Sequence, residues 1–243
     1  MLYKDQAVVL RTMRLGEADR IVTFFGRAGG KIRAVAKGVR KTKSRFGGRL
    51  EPFCHLSLVL WRGRSELDTV TQAEVLEPFR PLREDLNRFV LGQVMLEAVD
   101  RAVEERQSSP RIFTLLADGL HELASRGSPL VLARFLLRLS ALAGFAPSLA
   151  GCVECGAAAA AAPWFSPGQG GAVCLRCRAA DAEEVGTEAL ELMHSLSKAT
   201  AEGWADPRLT EAVLRLARSY TEYHLERRLK AAVAAEMLVG SAR

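Results

Sequence analysis

The chain has 243 residues, 49 % of them apolar, with 34 Lys/Arg against 28 Asp/Glu, a net charge of +6 and a pI near 9.3. That apolar content excludes an intrinsically disordered chain and is enough for one large core or two modest ones. Residues 1–80 hold 16 Lys/Arg and 8 Asp/Glu while residues 81–243 hold 18 and 20, so a polyanionic partner is expected to meet the first part of the chain.

From Asp5 to about Glu77 the pattern has period two, in short β-rich runs parted by glycine-containing turns. Strands are expected over Gln6–Thr12, Arg20–Phe25, Lys31–Lys37, His55–Trp61 and Leu67–Val75, enough for a compact barrel. Ile32, Ala34 and Ala36 share one face of the third strand, and Lys31, Arg33, Val35 and Lys37 share the other, wet face. Leu56, Leu58 and Leu60 supply the core face of the fourth. Pro78 and Pro81 end the β region, after which the period becomes about 3.6. The reading is therefore α+β and multidomain, with a β-barrel over residues 1–79 and helices over residues 80–243. Those helices are expected over an apolar stripe from Leu86 to Val99, and over Arg111–Ser125, Leu130–Ala143, Thr187–Ala201 and Arg208–Ala234.

The opening residues, broken by Lys4 and Asp5, contain no signal-peptide core, and the apolar stretch Pro129–Pro147 is interrupted by Arg134 and Arg138. At roughly 20 residues needed to cross a bilayer, that stretch reads as a buried helix. No membrane partner is expected. The five cysteines fit a reducing compartment rather than a disulfide framework, so the chain is read as cytoplasmic.

Four of those cysteines have metal-ligand spacing: Cys152 and Cys155, then eighteen residues, then Cys174 and Cys177. Each pair forms a tight turn offering two thiolates, and two facing turns close a tetrahedral four-sulfur shell around one structural zinc ion, with no position left for water. Cys54 stands apart as a small core residue, and the Ala157–Ala162 run between the pairs reads as loop filler.

The second signal is Arg27–Arg49, where Arg27, Lys31, Arg33, Lys37, Arg40, Lys41, Lys43, Arg45 and Arg49 occur without one acidic residue. Such a cluster repels itself unless an anion is near, which makes Lys31, Arg33, Lys37, Arg40, Lys41, Lys43, Arg45 and Arg49 the candidate nucleic-acid-binding residues. Phe46 beside them is placed to stack on a base. Catalytic residues are not expected. Gly26–Lys31 lacks the P-loop register, the only H-x-E string follows both cysteine pairs, and His55, His121, His194 and His224 are dispersed.

Taken in order, Leu15-Gly16-Glu17-Ala18-Asp19-Arg20-Ile21-Val22-Thr23, Ala36-Lys37-Gly38-Val39-Arg40-Lys41, Ser44–Phe53, the four cysteines and Tyr223–Lys230 resemble the bacterial RecO recombination mediators over nearly the whole chain. The resemblance implies an OB-fold barrel over residues 1–79, then a helical bundle whose zinc-binding segment is inserted at about 150–180. It implies a non-enzymatic DNA repair function: binding of single- and double-stranded DNA, annealing of complementary strands, and action with RecR in loading RecA onto DNA coated by single-strand-binding protein. It also implies nucleoid association and a partner in the acidic C-terminal tail of single-strand-binding protein. Arg134 and Arg138, four apart on a helix amid Leu132, Phe135, Leu136, Leu139 and Leu142, are the candidate residues for that tail. Two rival readings are a zinc-ribbon/OB nucleic-acid module of transcription or translation, and a metal-dependent hydrolase acting on nucleic acid.

Overall fold

Five strands begin the computed structural model, which describes residues 1–42, 44, 46–198 and 206–233. They are β1 (Leu2–Leu15), β2 (Asp19–Gly26), β3 (Gly30–Ala36), β4 (His55–Trp61) and β5 (Asp68–Glu77). β4 has the bounds expected from its alternation, whereas β1 runs well beyond Gln6–Thr12 because it serves two partners. Leu2–Val8 pair with β4 and Ala7–Leu15 with β2, both antiparallel, and a register shift between Val9 and Arg11 bends the strand from one to the other. The same bulge buries Ala7, Val8, Val9 and Leu10 in succession, which erases the alternation locally.

β2 pairs antiparallel with β3 and β4 with β5, and a short parallel pairing of Ala34 with Asp68 and Val35 with Thr69 closes the barrel. The resulting order, β1-β2-β3-β5-β4, is that of an OB fold. Val9, Val22, Phe24, Ile32, Leu56, Leu58 and Leu60 fill its interior, joined by Val39, Phe46 and Leu50 from the β3–β4 connection. Phe46 is therefore a core residue, 2 % exposed, and not the base-stacking ring expected from its neighbours. Burying a phenyl ring contributes about 2–3 kcal/mol, and the Gly47–Leu50 turn that follows holds Leu50 inside as well.

Beyond Pro78 come α1 (Pro81–Glu84), α2 (Leu86–Ala102) and α3 (Pro110–Arg126). Asp85 caps α2 by accepting the Arg88 backbone N–H. Gly92 of α2 lets Phe53 approach, since a Cβ there would lie 2.7 Å from the Phe53 ring. Phe53 meets Phe89 edge-on at 5.6 Å, and Phe113 of α3 meets Phe25 and His55. These contacts form an apolar layer outside the barrel, and they are why packing places Met1–Ser125 in one compact unit and begins the second at Arg126. The secondary structure thus changes at Pro78–Pro81, whereas the packing divides after α3.

The second unit contains α4 (Pro129–Leu142), β6 (Trp164–Ser166), β7 (Gly171–Val173), β8 (Glu183–Glu184), α5 (Thr187–Ser197) and α6 (Pro207–Leu225). Ser128 caps α4, with Pro129 in its first turn, and a buried Ser140–Thr221 hydrogen bond of 3.1 Å ties α4 to α6. α5 stops at Ser197, short of the expected Ala201, which lies outside the described residues. α6 was expected to continue through Ala234, also outside them, but the helix breaks at Glu226, which takes a left-handed φ of 52°. There Arg227 N–H returns to the Glu222 carbonyl and the Glu222 carboxylate accepts Leu229 N–H, turning the chain so that Leu229 is buried. Among the described residues, no helix is long and apolar enough to cross a membrane.

Asp68, at the start of β5, is 0 % exposed and carries the most demanding charge in the first unit. Its carboxylate accepts from the Tyr3 hydroxyl at 2.5 Å and from the Arg106 guanidinium at 3.2 and 3.5 Å, with Arg62 Nε 3.9 Å away. Burial and the Asp68 hydrogen bond together push Tyr3 up to about 12. A buried carboxylate persists only when so paired, and removing one partner leaves it uncompensated. Arg106→Ala is therefore expected to lower unfolding free energy by about 3 kcal/mol or more, against about 1 kcal/mol for Tyr3→Phe, read by urea denaturation. Equal small losses would show that the network is not strained by losing its cation.

Candidate nucleic-acid interface and metal centre

The structure divides the basic segment of residues 27–49 into two groups. Lys31 and Arg33 project from the outer face of β3, but that face is covered by the end of α2 and the α2–α3 connection. Lys31 Nζ donates to the Asp100 carbonyl at 2.7 Å and lies 3.4 Å from its carboxylate, while Arg33 lies 3.7 Å from Glu105. The backbone joins in: Arg106 N–H donates to the Lys31 carbonyl, and a Cβ on Gly30 would overlap the Gln107 carbonyl. The wet face expected for β3 is thus occupied by acids and backbone from more than sixty residues downstream, a contact without local sequence signal.

The second group leaves the end of β3. Lys37, Arg40 and Lys41 are exposed. Gly38 starts the loop with φ 66° and donates its N–H to Asp19 at 2.7 Å. Arg40 clamps the β1–β2 turn, donating to the Glu17 carbonyl at 2.9 Å and the Gly16 carbonyl at 3.3 Å. Lys37 and Lys41 have no such partner among the described residues, so their ammonium groups face water. Lys43 and Arg45 lie outside the described residues. Arg49 is exposed and engaged within the protein. Arg14, outside the basic segment, is also exposed and pairs across β1–β2 with Arg20 beside the clamped turn. Arg20 itself is held by Glu51 at 2.6 Å.

The metal-ligand spacing is realised in three dimensions. The Sγ atoms of Cys152, Cys155, Cys174 and Cys177 all lie within 4.8 Å of one another, and Cys155 and Cys174 are 3.8 Å apart. A tetrahedron with zinc–sulfur bonds of about 2.3 Å has edges of about 3.8 Å, so the four sulfurs fit a metal ion. Two tight turns present them. Gly156 closes the first with φ 72°, its N–H on the Cys152 carbonyl, while Cys177 and Arg178 N–H close the second on the Cys174 carbonyl. Backbone N–H groups, that of Cys155 foremost, pull the Cys152 thiol down to about 6, and its sulfur neighbours, Cys174 first, push Cys177 up to about 12. Like charges so close cannot all ionise without a cation among them.

Around the cluster, Val153 N–H reaches the Ala172 carbonyl on β7 and Arg178 stacks over Trp164 of β6 at 4.1 Å. Glu183 of β8 is gripped by both guanidinium nitrogens of Arg215 from α6. The alanine run is not filler: the Ala157 carbonyl accepts Cys152 N–H, and Ala162 is 0 % exposed beside the cysteines.

On α4, Leu132, Phe135, Leu136 and Leu139 face the interior, and Leu142 is 39 % exposed. Arg134 is half-buried and engaged within the protein, whereas Arg138 is exposed. Three of the four histidines pack against aromatic rings: His55 on Phe113, His121 on Phe79, and His224 stacked on Phe145 at 5.1 Å.

Known proteins match this chain throughout. The family model described as recombination protein O N terminal matches residues 1–79, and that described as recombination protein O C terminal matches residues 83–232. The DNA repair protein RecO of Nocardioides sp. is 48 % identical over 241 residues, 95 % of this chain and 97 % of its own length. Those of Frankia casuarinae and Streptomyces coelicolor are 44 % and 39 % identical, over 95 % and 94 % of this chain and 96 % of their own lengths. With a closed OB barrel, a basic loop leaving it, a four-cysteine cluster and this likeness along its length, the chain belongs to the RecO family of DNA repair proteins.

Proposed function

We propose that the protein is a recombination mediator that binds single- and double-stranded DNA, anneals complementary strands, and assists RecR in loading RecA onto DNA coated by single-strand-binding protein. The observation that carries this reading is the exposed cationic loop at the end of β3, braced by Arg40 on the β1–β2 turn, on a barrel of the RecO family. Lys37, Arg40 and Lys41, with Arg14, Lys43, Arg45 and Arg49, hold phosphates as point charges, indifferent to base sequence. Two DNA strands repel each other; a surface that neutralises both lowers the cost of their encounter and leaves the base edges free to pair. No bond is broken in this scheme, so the protein acts without catalytic residues. Lys31 sets β3 against the end of α2 and Arg33 sets it against the α2–α3 connection instead.

Arg40→Ala, Lys41→Ala and Lys43→Ala combined should weaken binding on all sequences alike, each lost phosphate contact reducing the salt slope by about one. Fluorescence anisotropy over a salt series reads this, and an unchanged slope would remove the loop from the interface. Annealing assays on bare and coated strands test the wider reading, because a translation or transcription module has no reason to accelerate annealing of coated DNA.

The four cysteines hold one zinc ion, which acts structurally: four thiolates complete the shell and leave no site for substrate or water. The purified chain should contain about one zinc per molecule by metal analysis, and Cys174→Ser should lower its melting temperature more than its DNA affinity. Absence of metal after chelator-free, reducing purification would refute this assignment.

Arg138, exposed beside Leu142 one turn on, is the residue of α4 suited to the acidic, apolar-ended tail of single-strand-binding protein. Arg138→Ala should weaken binding of that tail peptide about tenfold, measured by calorimetry, with naked-DNA affinity unchanged; unaltered peptide binding would place the tail elsewhere.

A further inference from the structure

Two cysteine turns on separate segments, residues 152–155 and 174–177, have to keep a common register if four sulfurs are to meet one ion. The packing around them is thin, with Ala162 and Val173 as the buried apolar residues beside the cysteines. One polar side chain reaches both turns. Gln169 lies in the turn of residues 167–170 between β6 and β7. Its Nε2 donates to the Cys177 carbonyl at 2.9 Å and to the Glu154 carboxylate at 3.1 Å, and its Oε1 accepts Ala179 N–H at 2.9 Å.

We propose that Gln169 is the positioning residue of the metal centre: its amide locks the second cysteine turn to the first and so sets how firmly the four sulfurs hold their ion. A primary amide carries a donor and an acceptor side by side, as a backbone peptide does. By bonding the Cys177 carbonyl and the Ala179 N–H at once, Gln169 serves residues 177–179 in place of a neighbouring strand. The other Nε2 hydrogen carries the lock across to Glu154, which stands between Cys152 and Cys155. Glutamate at this position would keep the acceptor and lose both donors, and asparagine would be one methylene short.

The glutamine is itself held in place. Its backbone N–H donates to Ser166 Oγ at 3.0 Å. Ser166 is 0 % exposed, and its hydroxyl lies 2.9 Å from both carboxylate oxygens of Asp181, which also accepts Gly168 N–H. Gly170 closes the turn with φ 84°, its N–H on the Pro167 carbonyl. A side chain whose backbone is so braced loses little further freedom in making its bonds. Outer bonds that orient metal ligands are worth about 10–100-fold in affinity. The inference rests on the zinc reading of the cysteines and deepens it: the sulfurs supply the metal bonds and Gln169 supplies their register.

The full-length parent and its Gln169→Ala, Gln169→Glu and Glu154→Ala variants, loaded with zinc, test this by the rate at which a colorimetric chelator strips the ion, with circular dichroism melting recorded alongside. Both Gln169 variants should release zinc about tenfold faster than the parent. Glu154→Ala, which loses one bond of three, should release it about threefold faster. With cobalt(II) in place of zinc, both Gln169 variants should absorb more weakly in the bands of tetrahedral thiolate coordination, a change that a loss of stability remote from the sulfurs does not produce. A parent that holds zinc, with Gln169 variants that release it at the parent's rate and keep its cobalt spectrum, would overturn the lock and leave the zinc reading standing. A parent that takes up neither ion would overturn both. Should Gln169→Ala not fold, Gln169→Glu, of the same length, decides.

Discussion

A single buried carboxylate organises the first unit. Asp68 sits where β5 joins β3 and so closes the barrel, yet it has no access to water. It is tolerable there only because β1 sends Tyr3, the α2–α3 connection sends Arg106, and the β4–β5 loop places Arg62 nearby. Barrel closure, the anchoring of the first strand and the docking of the first helices therefore depend on one charge being matched. Arg106, with a φ of 62° and a backbone N–H on β3, joins the charge pairing to the backbone of the sheet.

That arrangement also decides which cations remain available. The end of α2 brings Asp100 to Lys31, and the connection that brings Arg106 to Asp68 brings Glu105 to Arg33, neutralising the middle of β3. Positive charge without an acidic partner is left on the loop that follows β3, at Lys37 and Lys41.

The second unit meets a different problem. Residues 152–184 form three strands of two or three residues each, with a core of little more than Ala162, Val173 and the cysteines. So little buried surface cannot hold loops in place unaided. Four converging sulfurs that could hold a metal ion lie at its centre, with Gln169 and Asp181 bonding the adjacent backbone.

Some features were determined by sequence alone because they depend on local order. β4 followed from alternation and the cysteine cluster from two short spacings, each set within a few residues. What needed the tertiary structure were the contacts between distant segments. The bulge that lengthens β1 arises from its having two partners, Phe46 is buried because the β3–β4 connection folds inward, and the break at Glu226 follows from Glu222 capturing Leu229. The basic run identified a charge but not which cations were free, since the acids that match Lys31 and Arg33 lie far along the chain. Electrostatic pairing acts through space, so composition fixes how much charge there is while only the fold determines where it remains unpaired.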